Sequence, residues 1–122
     1  MKKAIKILIA LLIIFLTSSN TFAQKSGTKN FIGFWTSDQT TTRLVFFLDK
    51  NDKLQLICWD SDGGEEMEIM ELKIYLDKIQ TTERFKSTNH VTYNEFVVVN
   101  ENRLMNIING DTKETIFFKR IK

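Results

Sequence analysis

The stretch from Phe96 to Phe118 decides the fold and reads FVVVNENRLMNIINGDTKETIFF. It contains three segments rich in β-branched and aromatic residues, which favour strands. Two short polar turns separate them, Asn100-Glu101 and Asn109-Gly110-Asp111. Asn-Gly is typical of tight hairpins because both residues tolerate positive φ. The stretch therefore predicts three strands joined by two hairpins.

The same pattern continues outward to Phe31 and to the C-terminus. Parallel neighbours need connections of about a dozen residues, whereas the connections here are short, as at 49–52. The fold class is therefore all-β, an antiparallel up-and-down meander of about eight strands, and closure into a small barrel removes its two bare edges. The predicted strands are 31–36, 42–49, 53–60, 66–76, 78–86, 90–99, 102–108 and 113–121.

The segment 65–76 fits two structures. It is rich in helix formers, and a helical stripe extends from it to Ile79 behind a capping-box-like Asp62 and Glu65. A strand is favoured by the alternation of apolar with polar residues. The alternating apolar residues are Met70, Leu72, Ile74 and Leu76.

Residues 1–23 have the composition of an export signal. Three lysines within the first six residues precede an unbroken run of ten apolar residues, 7–16, and the small residue Ala23 precedes a polar segment. A membrane-spanning helix needs about 20 apolar residues, so an uncleaved anchor is the less favoured alternative. The first cysteine is Cys58, which excludes the lipoprotein route. We expect a periplasmic or secreted bacterial protein.

Beyond the signal we expect a flexible N-terminal tail at 24–30 and a single β-barrel domain at 31–122. From Gln24 onward the chain carries 14 Lys and Arg against 15 Asp and Glu, so the formal charge of +2 belongs to the signal. The charge gives no argument for a nucleic-acid partner, and no membrane span is expected after cleavage.

The predicted first strand begins Phe31-Ile32-Gly33-Phe34-Trp35, and the last ends Phe117-Phe118-Lys119-Arg120-Ile121. The first motif resembles the Gly-x-Trp signature that opens lipocalin and fatty-acid-binding-protein barrels, and the second is similar to their last strand. Small lipocalin-like (calycin-type) domains of secreted bacterial proteins resemble this chain in outline.

That resemblance implies three barrel-closing residues. Gly33 would let the strand bend, Trp35 would plug the barrel floor, and Arg120 would cover the indole by a cation–π contact, with Lys119 in its place if the register shifts by one. The chain has no segment for the flanking C-terminal helix of the family and lacks its Thr-Asp-Tyr-like loop. A barrel this short is either filled by its own side chains or holds a cavity.

Candidate chemistry is sparse. Cys58 and His90 are the only thiol and imidazole, and a buried small hydrophobe and a surface residue are preferred over a nucleophilic dyad. The acidic, glycine-containing segment 60–66 lacks the spacing of a twelve-residue calcium loop, so a solvated loop is preferred. We therefore expect no enzyme, no cofactor and no metal site.

Two function classes remain. The first is an exported binding module for an apolar or amphipathic small molecule, and the second is a protein-interaction module with a filled barrel, an inhibitor or assembly partner of another secreted protein. For the first class, the candidate ligand-binding residues are Trp59, Met70, Tyr75 and Tyr93.

The second class is favoured by strands that are apolar on both faces. If Leu44, Phe46 and Leu48 point inward, Val45 and Phe47 must point outward. Monomeric proteins seldom leave apolar patches larger than a few hundred Å² uncovered. Val45 and Phe47 are therefore the candidate interaction surface for a homodimer or a secreted partner.

We predict that the exported protein begins at Gln24, because a small residue at Ala23 ends a short apolar run and a polar segment follows at once. N-terminal sequencing of the protein recovered from the medium or periplasm measures this directly. A recovered chain that retains residues 7–16 would contradict both the cleavage and the charge balance.

Overall fold

The computed structural model describes residues 27–121, so the expected signal at 1–23 and the beginning of the expected tail lie outside the described residues. The strand segments combine β-branched and aromatic residues with polar turns, and each forms where the pattern predicts it, with ends within two residues. The strands are β1 (Gly33–Thr36), β2 (Thr42–Leu48), β3 (Leu54–Asp60), β4 (Glu68–Ile74), β5 (Ile79–Phe85), β6 (His90–Asn100), β7 (Arg103–Asn109) and β8 (Lys113–Ile121).

The strands form one antiparallel sheet in the order β3-β2-β1-β8-β7-β6-β5-β4. Pairing of β1 with β8 brings the two ends of the domain together, with Trp35 opposite Arg120. At the remaining seam β3 meets the segment before β4 through an isolated bridge from Trp59 to Glu66 and a 2.9 Å bond from Met67 N to Cys58 O. The predicted up-and-down meander is confirmed, and it forms a nearly closed barrel.

The segment 65–76 contains a strand, as favoured, and not a helix. Of the four alternating apolar residues only Leu72 packs against the core, since Ile74 and Leu76 are 40% and 70% exposed. A β-bulge between Ile69 and Glu71 shifts the register against β5. Ile69 and Leu72 therefore pack against the core, while the Met70 side chain is 52% exposed.

The expected tail at 24–30 is not loose in its last four residues, because residues 27–31 form a short helix. Phe31 at its end is buried and packs edge-on against Phe46, with ring centroids 5.6 Å apart. Trp35 Nε1 donates a hydrogen bond of 2.9 Å to Phe31 O. The packing of Phe31 and this hydrogen bond hold the short helix against the end of the barrel.

Trp35 and Arg120 close that end. Trp35 is fully buried, and the Arg120 guanidinium carbon lies 4.3 Å from the centroid of its ring. Gly33 has a φ of +143°, and a Cβ on it would lie 2.5 Å from Arg120 Nη1, so a larger residue has no room. Lys119 points outward and its Nζ lies 3.6 Å from an Asp38 carboxylate oxygen. Arg120, not Lys119, therefore covers the indole.

Inward-facing apolar side chains pack around Trp35 and form the core. Phe46 of β2 and Phe96 of β6 meet edge to face across the barrel, with ring centroids 5.4 Å apart. The side chains of the core that are almost completely buried are Trp35, Leu44, Phe46, Ile79, Phe96, Leu104 and Phe118.

We expect Trp35→Ala to lower the free energy of unfolding by about 3–5 kcal/mol, the usual cost of truncating a buried aromatic side chain. Trp59→Ala should cost less, because Trp59 is only half-buried. Urea unfolding of both variants compares the two losses. Equal or reversed losses would contradict the role of Trp35 as the plug of the barrel.

Candidate functional site

The barrel interior is not completely filled. A cavity of about 330 Å³ lies away from Trp35, between inward-facing side chains of β2, β3, β5, β6, β7 and β8. Its lining includes His90 and Glu114, which are exposed, so the cavity reaches the surface at that end. The barrel therefore has one end closed by Trp35 and Arg120 and a cavity toward the other.

One wall of the cavity is an amide ladder on neighbouring strands. Asn106 Nδ2 of β7 donates to Asn94 Oδ1 of β6 at 3.2 Å, and Asn94 Nδ2 donates to Thr92 Oγ1 at 3.0 Å. All three side chains are buried. Because a buried polar group without a partner is costly, the internal bonds are what allow this wall to be polar.

A buried carboxyl group, Glu83 of β5, extends the polar wall. The residue is 5% exposed and accepts a 2.6 Å hydrogen bond from Thr81 Oγ1. Burial raises the pKa of Glu83, and hydrogen bonds from Thr81 and from the Cys58 thiol act in the opposite direction. Lys and Arg are absent from the cavity lining formed by the described residues.

Cys58 and His90 line the same cavity but do not form a catalytic pair in this structure. Burial raises the pKa of the Cys58 thiol, and the nearby Glu83 charge and hydrogen bond raise it further. A thiol in this environment is protonated at neutral pH and is a poor nucleophile. The His90 ring lies beside Phe85, with ring centroids 6.2 Å apart.

The lining also contains Thr40, Thr42 and Glu114, and its other members are apolar. The apolar side chains come from four strands and from the segment before β4, and those of β5, β6 and β7 lie on the same strands as the polar groups. The apolar side chains are Met67, Phe85, Phe96, Ile108, Ile116 and Phe118. The cavity is therefore amphipathic, with hydrogen-bonding groups and apolar surface around one space that opens at the end of the barrel.

The structure does not bring the four predicted ligand-binding residues together, and none of them lines this cavity. Met70, Tyr75 and Tyr93 are 52%, 44% and 59% exposed. Trp59 lies on the outer face of β3, with its ring edge-on to Phe34 at 5.7 Å. The prediction relied on residue type, whereas the parity of each position along its strand decides which face it occupies.

Tyr93 does line a second depression, of about 310 Å³, over β4, β5 and β6. Most of its lining comes from outward-facing polar and charged side chains such as Glu71, Lys73 and Glu95. It lacks the apolar side chains that line the cavity and lies mainly on the outer face.

The predicted interaction residues lie on the outer face, where Val45 and Phe47 are half-buried. Val45 stands between Phe34 of β1 and Ile57 of β3 in the strand register, and the latter two are each 39% exposed. We call Phe34, Val45 and Ile57 the outer apolar row.

The acidic segment 60–66 is a turn. Asp60 Oδ1 accepts hydrogen bonds from Thr41 Oγ1 at 2.6 Å and from Asp62 N at 2.9 Å, and these bonds lower the pKa of Asp60. Glu65 accepts a 2.9 Å bond from the backbone of Ser87. In residues 27–121 no group of three or more acidic, His or Cys side chains is arranged to hold a metal ion.

No family model matches the chain, and neither a curated protein nor a solved structure is significantly similar to it. Within residues 27–121, no helix has the length and apolar character of a membrane span.

Sequence reasoning missed the polar wall formed by Glu83, Thr92, Asn94 and Asn106, and the hydrogen bond from Thr81 that supports Glu83. A signal for it exists in the segment 80–84, QTTER, where every residue is polar. A strand of a small barrel has one face inside, so a strand that is polar on both faces must place polar groups in the interior.

We expect Glu83→Gln to raise the free energy of unfolding at neutral pH, because the amide avoids the cost of burying a charge. A pKa raised by one corresponds to about 1.4 kcal/mol. Glu83 contributes stability that is fully present below the pKa of an unfolded Glu, about 4.3, and is lost as the pH rises through its raised folded pKa. The advantage of the variant should therefore be smallest near about pH 4 and largest near about pH 8.

Urea unfolding across this pH range measures the effect. Glu114→Gln is the matched control, because its exposed side chain should change stability by about 0.5 kcal/mol or less. A Glu83→Gln variant that is less stable than wild type at neutral pH would refute the desolvation argument.

Proposed function

We propose that this protein is an exported small-molecule binding module, with a lipocalin-like barrel that holds an amphipathic ligand in its interior cavity. The observation that carries the proposal is the cavity itself, of about 330 Å³. Ligand sites in proteins are typically concave spaces of about 300–1,000 Å³ with apolar walls and a few placed polar groups. The size is at the low end of this range and favours a small ligand.

The apolar and the polar side chains of the lining would have different roles in binding. The apolar body of a ligand would replace water against side chains such as Phe85, Ile108 and Ile116, and this burial provides affinity. A polar group of the ligand would meet the amide ladder and Glu83, which fix its orientation. Because these polar groups already bond to one another, the wall is largely preformed and binding requires little ordering.

The proposed module is not an enzyme. The Cys58 thiol is held protonated beside Glu83, which removes the one strong nucleophile that lines the cavity. Export follows from the composition of residues 1–23.

The outer apolar row favours a second candidate function, that of a protein-interaction module. Phe34 and Ile57 are partly exposed on either side of Val45 and form a continuous apolar strip over three strands. The sequence-based hypothesis combines this function with a filled barrel, and the cavity argues against a filled barrel. The first candidate is therefore preferred.

Native mass spectrometry of the protein purified from its own host separates the two candidates. A binding module should retain a small molecule, whereas an interaction module should retain a second polypeptide chain. Recovery of a second chain with no small molecule would favour the interaction module.

A direct test uses prodan, a neutral fluorophore whose emission shifts in apolar surroundings. We expect it to bind wild-type protein, and we expect Ile108→Trp, which places a large side chain in the cavity, to weaken binding by about tenfold or more. Ile107→Trp is the matched control, because the adjacent residue pairs with Glu95 and Thr115 and lies outside the cavity lining. Equal binding by both variants, or no binding by wild type, would refute the proposal.

A further inference from the structure

Several donors of the polar wall are already bonded within the protein. Thr81 and Cys58 both donate to Glu83, and Asn106 Nδ2 donates to Asn94 and also to the backbone oxygen of Glu95 at 3.2 Å. These internal bonds leave acceptor capacity facing the cavity. A carboxylate accepts about four hydrogen bonds, and the two donors to Glu83 among the described residues occupy only part of this capacity.

The charge of the lining also favours a ligand that donates hydrogen bonds. Glu83 and Glu114 both line the cavity, and the described lining contains no Lys or Arg to neutralise them. Glu83 is one of the most buried polar side chains of the barrel, and its recorded partners are a hydroxyl and a thiol, both neutral. An anionic ligand would bring a second negative charge into this space, whereas a cation would supply the missing counter-charge.

We infer that the cavity selects a small organic cation, an amine with an apolar body, whose ammonium group donates hydrogen bonds to the Glu83 carboxylate. This inference rests on the proposed function and specifies its ligand class. The apolar body would lie against apolar side chains of the lining such as Phe85 and Ile116. An organic cation fits better than a metal ion, because the described residues contain no group of three ligating side chains.

The placement of Glu83 explains why the interaction should be selective. Near the exposed Glu114 water screens charge, so an ion pair there contributes little. At Glu83 the surroundings are buried and the carboxylate is held by Thr81, so a hydrogen-bonded ammonium meets a fixed acceptor in a low-dielectric space. A neutral isostere would lose the charge-assisted bond and keep only the apolar contacts.

Isothermal titration calorimetry with three indole compounds tests the inference on the wild-type protein alone. Tryptamine is a cation at neutral pH, tryptophol is its neutral isostere, and indoleacetate is an anion. We expect tryptamine to bind about tenfold or more tightly than tryptophol, and indoleacetate to bind most weakly. Equal or weaker binding of tryptamine would overturn the inference. If all three compounds and prodan fail to bind, the proposed function itself fails.

Variants then locate the acceptor. Glu83→Gln should lower the affinity for tryptamine to about that for tryptophol, and its cooperative unfolding in urea shows that the variant is folded. Glu95→Gln is the matched control, because it removes the same charge from the outer face of β6 and should leave the preference intact. Loss of the preference in Glu114→Gln with its retention in Glu83→Gln would overturn the assignment of Glu83.

Discussion

The contact of Arg120 with Trp35 is the constraint on which the rest of the barrel depends. A charged guanidinium near a buried indole is stable only if its donors are satisfied, and here they reach three backbone oxygens. Nη1 donates to Ile32, Nη2 to Asn30 at 2.8 Å and Nε to Glu101 at 2.8 Å. One side chain of β8 thus ties together the N-terminal helix, the start of β1 and the turn between β6 and β7.

Closure of that end divides the interior into two parts. The most deeply buried apolar residues pack around Trp35, and burial of their surface supplies much of the stability. The other part contains Thr81, Glu83, Thr92, Asn94 and Asn106, which contribute less hydrophobic energy and depend on hydrogen bonds to one another. A small barrel tolerates this polar part because its closed end is well packed.

The strands and their order were predictable from sequence because they follow from local rules, the β-branched and aromatic segments and turns such as Asn109-Gly110. The N-terminal helix was not predictable in this way, because it is held by Trp35 and by Arg120, which is 90 residues away from Asn30 in the chain. The bulge between Ile69 and Glu71 was not predictable either, because it is defined by the pairing of β4 with β5. The presence of a cavity was left open, because no local pattern in the sequence reports the space between six strands.

Selectivity for a cation cannot arise from the overall field of this protein. The chain from Gln24 onward is nearly balanced, with 14 basic and 15 acidic residues, so long-range attraction of ligands is weak. Discrimination by charge must therefore occur inside the barrel, where a carboxylate interacts strongly because water is excluded. The raised pKa of Glu83 shows that burying this group carries a cost in the empty protein. An ammonium ligand would offset that cost on binding, so the residue that weakens the empty barrel is the one that would strengthen the occupied one.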